Sequence, residues 1–83
     1  MKSISDNELV YMLREPATRR EGFSAMVQQY SEQLYWKVRH IVLTHEDAND
    51  VLQNVFLKAW KNLETFQGKS SLSTWLYRIA VNE

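Results

Sequence analysis

Residues 47–60 read DANDVLQNVFLKAW, and the spacing within that stretch decides the fold. At about 100° per residue, Val51, Leu52, Val55, Ala59 and Leu63 gather within about 60° either side of Ala48. That is the apolar stripe of an amphipathic helix. Phe56 and Trp60 fall on its shoulder, at roughly 80° and 120°. Leu57 falls at about 180°, opposite the stripe. Glu46, Asp50, Gln53, Asn54 and Lys61 share its side. An apolar side chain ringed by carboxylates and amides has the anatomy of a small protein-binding patch. A lone exposed leucine is also common on ordinary surfaces, where it means nothing. Helix geometry leaves both readings open.

Working outward, Thr44 and Asp47 form a capping box ahead of this helix. Glu46 and Asp47 suit the positive end of its dipole. The helical pattern runs to about Glu64. Upstream, the longest pattern spans Arg19 to about Leu43. Phe23, Met26, Val27, Tyr30, Leu34, Val38 and Ile41 line one face, and Tyr35, Trp36 and Val42 widen it. Such a broad face predicts a central helix covered on more than one side. Before it, Ser5 and Glu8 can form another capping box, with Leu9, Met12 and Leu13 as a short stripe. Pro16 ends that helix, because proline pushes its predecessor out of helical geometry.

Downstream, TFQGKSS (residues 65–71) reads as a loop in which Gly68 can take a positive φ. A fourth helix begins near Ser71 or Ser73. Leu72, Trp75, Leu76 and Ile79 form its stripe, and Thr74, Tyr77, Arg78 and Val81 face away. No capping signal precedes Glu83, which predicts a piece of a longer protein. Glycine occurs twice, proline once, and strand-like alternation is absent. The fold class is therefore all-α: one compact domain of three to four helices over residues 1–83.

Composition narrows the function. Ten basic and ten acidic residues give a net charge of zero, so bulk charge does not hold this chain to nucleic acid. Cysteine is absent, which removes disulfides and thiolate metal sites. Residues 1–10 do not read as a signal peptide and no run of about 20 apolar residues is present, so no membrane insertion is expected, and a small domain stable without disulfides fits the cytoplasm. His40 and His45 miss the spacing that aims two imidazoles at one metal. There is no phosphate-cradling glycine loop and little room for a catalytic cleft. We expect no enzyme, no metal and no cofactor.

The last third carries a local bias. Phe56, Trp60, Phe66, Trp75 and Tyr77 lie among Lys58, Lys61, Lys69 and Arg78, with only Glu64 and Glu83 opposing. Aromatic faces with scattered cations suit unstacked bases and phosphates. Phe66 and Trp75 read better as core anchors. For Lys69, Ser70, Ser71, Thr74 and Tyr77, a solvated surface and a base-contacting one read equally well.

DANDVLQNVFLKAW, followed by TFQGKSSLSTWLYRIAVNE at residues 65–83, resembles region 2 of the sigma-70 family in its extracytoplasmic-function (ECF) branch. The string TWLYRIAVN makes the resemblance specific. Residues 5–13 and 23–42 resemble the family's opening helices more weakly. The resemblance implies docking on the clamp helices of the largest subunit of core RNA polymerase. It implies capture of the promoter −10 element as a single non-template strand, and control by an anti-sigma factor. By that mapping, Asp50, Gln53, Asn54, Leu57 and Trp60 face polymerase. Phe66, Lys69, Ser70, Ser71, Thr74 and Tyr77 belong to the −10 loop and its helix. Arg78 and Asn82 fall near the DNA backbone or its upstream edge, and Lys58 and Lys61 are expected near phosphates.

Departures from the family pattern fall at Asn49 and Asn54, where relatives carry acids. They fall also at Lys69 and Leu72, where many carry an acid and an aromatic. No promoter sequence follows from such a loop. Two other readings are a helical adaptor without a DNA role and a helix-turn-helix reader of duplex DNA. The second needs a shorter turn and a helix rich in base-reading side chains.

Overall fold

The structure is a computed structural model that describes residues 4–66, 68 and 70–82. Side-chain oxygens set the start of three helices. Ser5 Oγ accepts the Glu8 amide at 3.2 Å and opens α1, Asp6–Arg14. Thr44 Oγ1 accepts the Asp47 amide at 3.1 Å and opens α3, His45–Lys61. Ser71 Oγ accepts the Thr74 amide at 3.2 Å and opens α4, Leu72–Val81. Each cap satisfies an amide that the first turn leaves without a partner.

The remaining helix, α2 (Arg19–Arg39), begins without a side-chain cap. Its first residues close the end of α1 instead. Thr18 Oγ1 donates to the Met12 carbonyl and Arg19 Nε to the Leu13 carbonyl, both at 2.9 Å. The carbonyls that a helix leaves open at its C-terminus are satisfied in this way. Among the described residues there is no strand, and the all-α class stands.

α2 packs against each of the other three helices, as its broad apolar face predicts. It buries Met26, Leu34 and Val38. Leu9 and Leu13 of α1, Ala48, Val55 and Ala59 of α3, and Leu72, Leu76 and Ala80 of α4 complete the core.

Gly22 is buried where α1 meets α2. A Cβ there would lie 2.7 Å from Met12 Cβ and 3.3 Å from the Leu13 amide nitrogen. Met12 Cβ is fixed to its backbone, so a helix must shift rather than a side-chain tip. Gly22→Ala gains about 1 kcal/mol of helix propensity. Overpacking costs about 1–3 kcal/mol. A net loss is expected, read as a fall in melting temperature of roughly 4–8 °C per kcal/mol. An unchanged or raised melting point would show that the helices part freely.

Both long helices end earlier than the sequence pattern suggests. α2 stops at Arg39 rather than Leu43, and Ile41, placed on the apolar face by spacing, is 60% exposed. Trp36 is exposed as well. The chain must be extended at Thr44 to start α3. Arg39 Nη1 holds the Val42 carbonyl at 3.0 Å across that bend. α3 stops at Lys61 rather than Glu64. Asn62 Nδ2 donates to the Lys58 carbonyl at 2.8 Å, and Thr65 Oγ1 donates to the Asn62 carbonyl at 2.7 Å. Side-chain bonds of this kind compete with the helical ladder. The chain continues as one 3₁₀ turn, Leu63–Thr65. Asn62 and Asn82 both serve as C-caps, a role that the sequence pattern did not show at Asn82.

Tyr30 on α2 is half-buried and donates its hydroxyl to Asp6 Oδ1. Burial chiefly, then the bond to Asp6 and its charge, raise the phenol above its ordinary pKa of 10.0. The folded state therefore holds this proton more tightly than the unfolded one. Its contribution is complete below pH 10.0 and is lost as pH rises through the folded value. Stability against urea should fall with alkali more steeply in the wild type than in Tyr30→Phe. Parallel curves would exclude Tyr30 as the source.

Candidate functional site

The wheel of α3 places Phe56 toward α2 and Leu57 toward solvent. Between the two helices lies an open hollow of about 900 Å³. α3 lines it with Gln53, Phe56, Leu57 and Trp60, and α2 with Arg20, Phe23, Ser24, Val27 and Gln28. Phe23 braces both aromatics of α3. Its ring meets Trp60 edge-on at 5.0 Å and Phe56 at 6.5 Å. Trp60 is thus held with 41% of its surface in solvent, and Leu57 with 60%. An apolar floor rimmed by Arg20, Ser24, Gln28 and Gln53 has the anatomy of a protein-binding patch.

Asp50 and Asn54 are exposed on α3 but line no part of this hollow. On the wheel they lie beyond Leu57, on the flank away from α2. The five residues mapped from the resemblance therefore divide in two: Gln53, Leu57 and Trp60 at the hollow, Asp50 and Asn54 beside it. Arg20, Ser24 and Gln28 went unnoticed in the sequence. The signal was there: with Phe23 and Val27 they form a second stripe of three- and four-residue spacing.

A second surface is built around the loop before α4. Gly68 takes φ 75°, the left-handed conformation that the loop reading predicts. Phe66 packs on Trp75 with ring centroids 5.1 Å apart. Both rings are half-buried, so they anchor the loop from the edge of the core rather than from within it. A hollow of about 520 Å³ lies between this loop and α1. Phe66, Gly68, Ser70, Ser71 and Leu72 line one side, and Asp6, Asn7, Val10 and Arg14 the other. The contribution of α1 was invisible in the sequence, because 50 or more residues separate the two sides.

The loop hydroxyls are not equivalent. Ser71 Oγ is the cap of α4 and also bonds Thr74 Oγ1 at 2.9 Å. It is exposed, and it is engaged at the start of α4. Ser70 and Thr74 carry the other two hydroxyls, and Thr74 Oγ1 is the one that Ser71 bonds. Thr74, Tyr77, Arg78 and Val81 are exposed along α4, as its wheel predicts, and Asn82 follows them. Lys37 of α2 sits over the Tyr77 ring, 5.1 Å from its centroid. That cation covers one face of the tyrosine and adds a positive charge that sequence reasoning missed. Lys58 and Lys61 are exposed near the end of α3 and line neither hollow. Lys69 lies outside the described residues.

Among the described residues, no group of three or more His, Cys, Asp or Glu could hold a metal. No helix there is long and apolar enough to cross a membrane.

The family model for sigma-70 region 2 matches residues 26–83, which hold α3, the loop and α4. The chain is 47% identical over 70 residues to the ECF RNA polymerase sigma factor SigG of Mycobacterium tuberculosis, covering 83% of this chain and 19% of that protein. It is 33% identical over 81 residues to the ECF RNA polymerase sigma-E factor of Haemophilus influenzae, covering 98% of this chain and 41% of the relative. It is 35% identical over 77 residues to the RNA polymerase sigma-H factor of Pseudomonas aeruginosa, with 93% and 39% covered. The chain thus spans less than half the length of each of these relatives. The helices, the loop and the matched residues agree: this chain belongs to the sigma-70 family, in its ECF branch, and corresponds to region 2.

Proposed function

We propose that this domain serves transcription initiation. It docks on the clamp helices of core RNA polymerase and takes up the −10 element through the non-template strand. The observation that carries the reading is the pairing of exposed Leu57 and Trp60 on an apolar floor, separate from the loop and α4. The α2–α3 hollow receives the coiled coil, with Trp60 as its anchor and Asp50 and Asn54 at its rim. Buried aromatics of this kind dominate protein–protein affinity.

The loop hollow and the exposed face of α4 take the strand. Net charge is zero, so few counterions are released and binding is local. Arg14, Lys37 and Arg78 stand near phosphates, with Lys58, Lys61 and Lys69 as further cations. Phe66 and the free face of Tyr77 offer surfaces for bases, and stacking contributes about 1–3 kcal/mol per base. Ser70, Ser71 and Thr74 bond the edge of a base turned out of its stack. Turning a base out costs a few kcal/mol from a duplex and less from a single strand, so melted DNA is preferred. An anti-sigma factor would act by covering one of these two surfaces.

The test is retention on an immobilised, purified clamp-helix fragment. Retention of the chain supports the reading. Failure to bind, with the protein folded, would favour an adaptor that uses the Leu57 face for another partner.

A further inference from the structure

The start of α4 is set from outside the helix. The first turns of α1, α2 and α3 carry their own acidic residues: Asp6 and Glu8, Glu21, and Glu46 and Asp47. The first turn of α4 carries none. Ser71 caps only the third amide of the helix, Thr74 N–H. The first, Leu72 N–H, points to Asp6 Oδ2 at 3.4 Å, from a residue 66 positions away. The Asp6 carboxylate therefore supplies both the acceptor and the negative charge that this helix end lacks.

Asp6 is itself held. Its other oxygen, Oδ1, accepts the Tyr30 hydroxyl from α2. The residues before it are held too. Gln29, beside Tyr30, donates from Nε2 to the Ile4 carbonyl at 2.8 Å and accepts the Ile4 amide at 3.0 Å. One carboxylate thus joins α1, α2 and the first residue of α4. The same carboxylate lines the hollow between α1 and the loop.

We infer that Asp6, oriented by Tyr30, is a positioning residue that fixes the loop and the start of α4 in the conformation that takes up single-stranded DNA. The inference rests on the proposed role of that loop. Leu72 is the hinge of the argument. Its side chain is fully buried, and its amide, at the junction of the loop and α4, reaches Asp6. Releasing that amide frees the loop while Leu72 stays in the core.

Charge gives the test its sign. Asp6→Asn removes a negative charge beside a surface that receives a polyanion. Electrostatics alone would tighten binding. Positioning predicts the opposite. The 83-residue chain would be titrated with a short fluorescein-labelled single strand of randomised sequence, and separately with the clamp-helix fragment. Asp6→Asn and Tyr30→Phe should each weaken strand binding about tenfold and leave clamp-helix affinity unchanged. The double variant should be no weaker than Asp6→Asn, because both act through one bond network.

Amide hydrogen exchange keeps the inference separate from the proposed function. Leu72 N–H should exchange faster in both variants, while Val55 N–H in α3 stays as slow as in the wild type. Tighter or unchanged strand binding would overturn the positioning role. Clamp-helix and strand affinities falling together would reduce Asp6 to a residue of general stability. Unchanged exchange at Leu72 would refute the carboxylate contact itself, even if the wild type bound no strand at all. That last result would count against the proposed function alone.

Discussion

Leu57→Asp should abolish docking on the clamp helices while the domain stays folded. The side chain is 60% exposed and lies opposite the core stripe of α3. Its removal from the free protein therefore costs little, within about 0.5 kcal/mol. In the docked state the same position lies on an apolar floor beside Trp60. A carboxylate there would be desolvated without a partner. Losses at such central positions run to about 2–4 kcal/mol, roughly 30- to 1000-fold in affinity. Binding to the clamp-helix fragment and thermal melting should be measured on the same preparation. A collapse in melting temperature would mean that Leu57 is part of the core. Unaltered binding by a folded variant would move the docking surface elsewhere.

Leu76→Ala is the substitution expected to cost most stability. Leu76 is fully buried and seats α4 against the centre of the molecule. Truncating a buried leucine costs about 2–5 kcal/mol. Domains of this size hold about 5–15 kcal/mol in total, so a large part of the margin goes. Urea unfolding should show a midpoint lowered in proportion, with the slope unchanged. Trp75→Ala should cost less than its size suggests, because the ring is half-buried and its packing on Phe66 lies at the edge of the core. Equal or greater damage from Trp75→Ala would reverse that order and make the tryptophan the principal anchor of α4.

The sequence was most legible where structure is decided within one turn of helix. Ser5, Thr44 and Ser71 cap as their chemistry predicts, Pro16 separates the first two helices, and Gly68 takes its positive φ. The solvent-facing position of Leu57 follows from 3.6-residue periodicity alone. What the pattern missed depends on meetings between distant residues. Ile41 keeps the apolar spacing of α2, yet the chain has already turned toward Thr44 and leaves it exposed. Asp6 looks like an ordinary first-turn acid, and only the fold brings it to Leu72. Arg14 and Lys37 reach the loop and Tyr77 by the packing of α1 and α2, which no spacing within α4 records. Leu72, a departure from the family's usual aromatic, faces the core.

The central claim is that this domain takes up a strand rather than a duplex. It is tested most directly by fluorescence titration of the folded chain with a short labelled single strand and with the matching duplex, at two salt concentrations. Tighter binding to the single strand with a shallow salt slope is the result expected of a neutral domain that captures bases. Equal affinity for both with a steep slope, or tighter binding to the duplex, would contradict it.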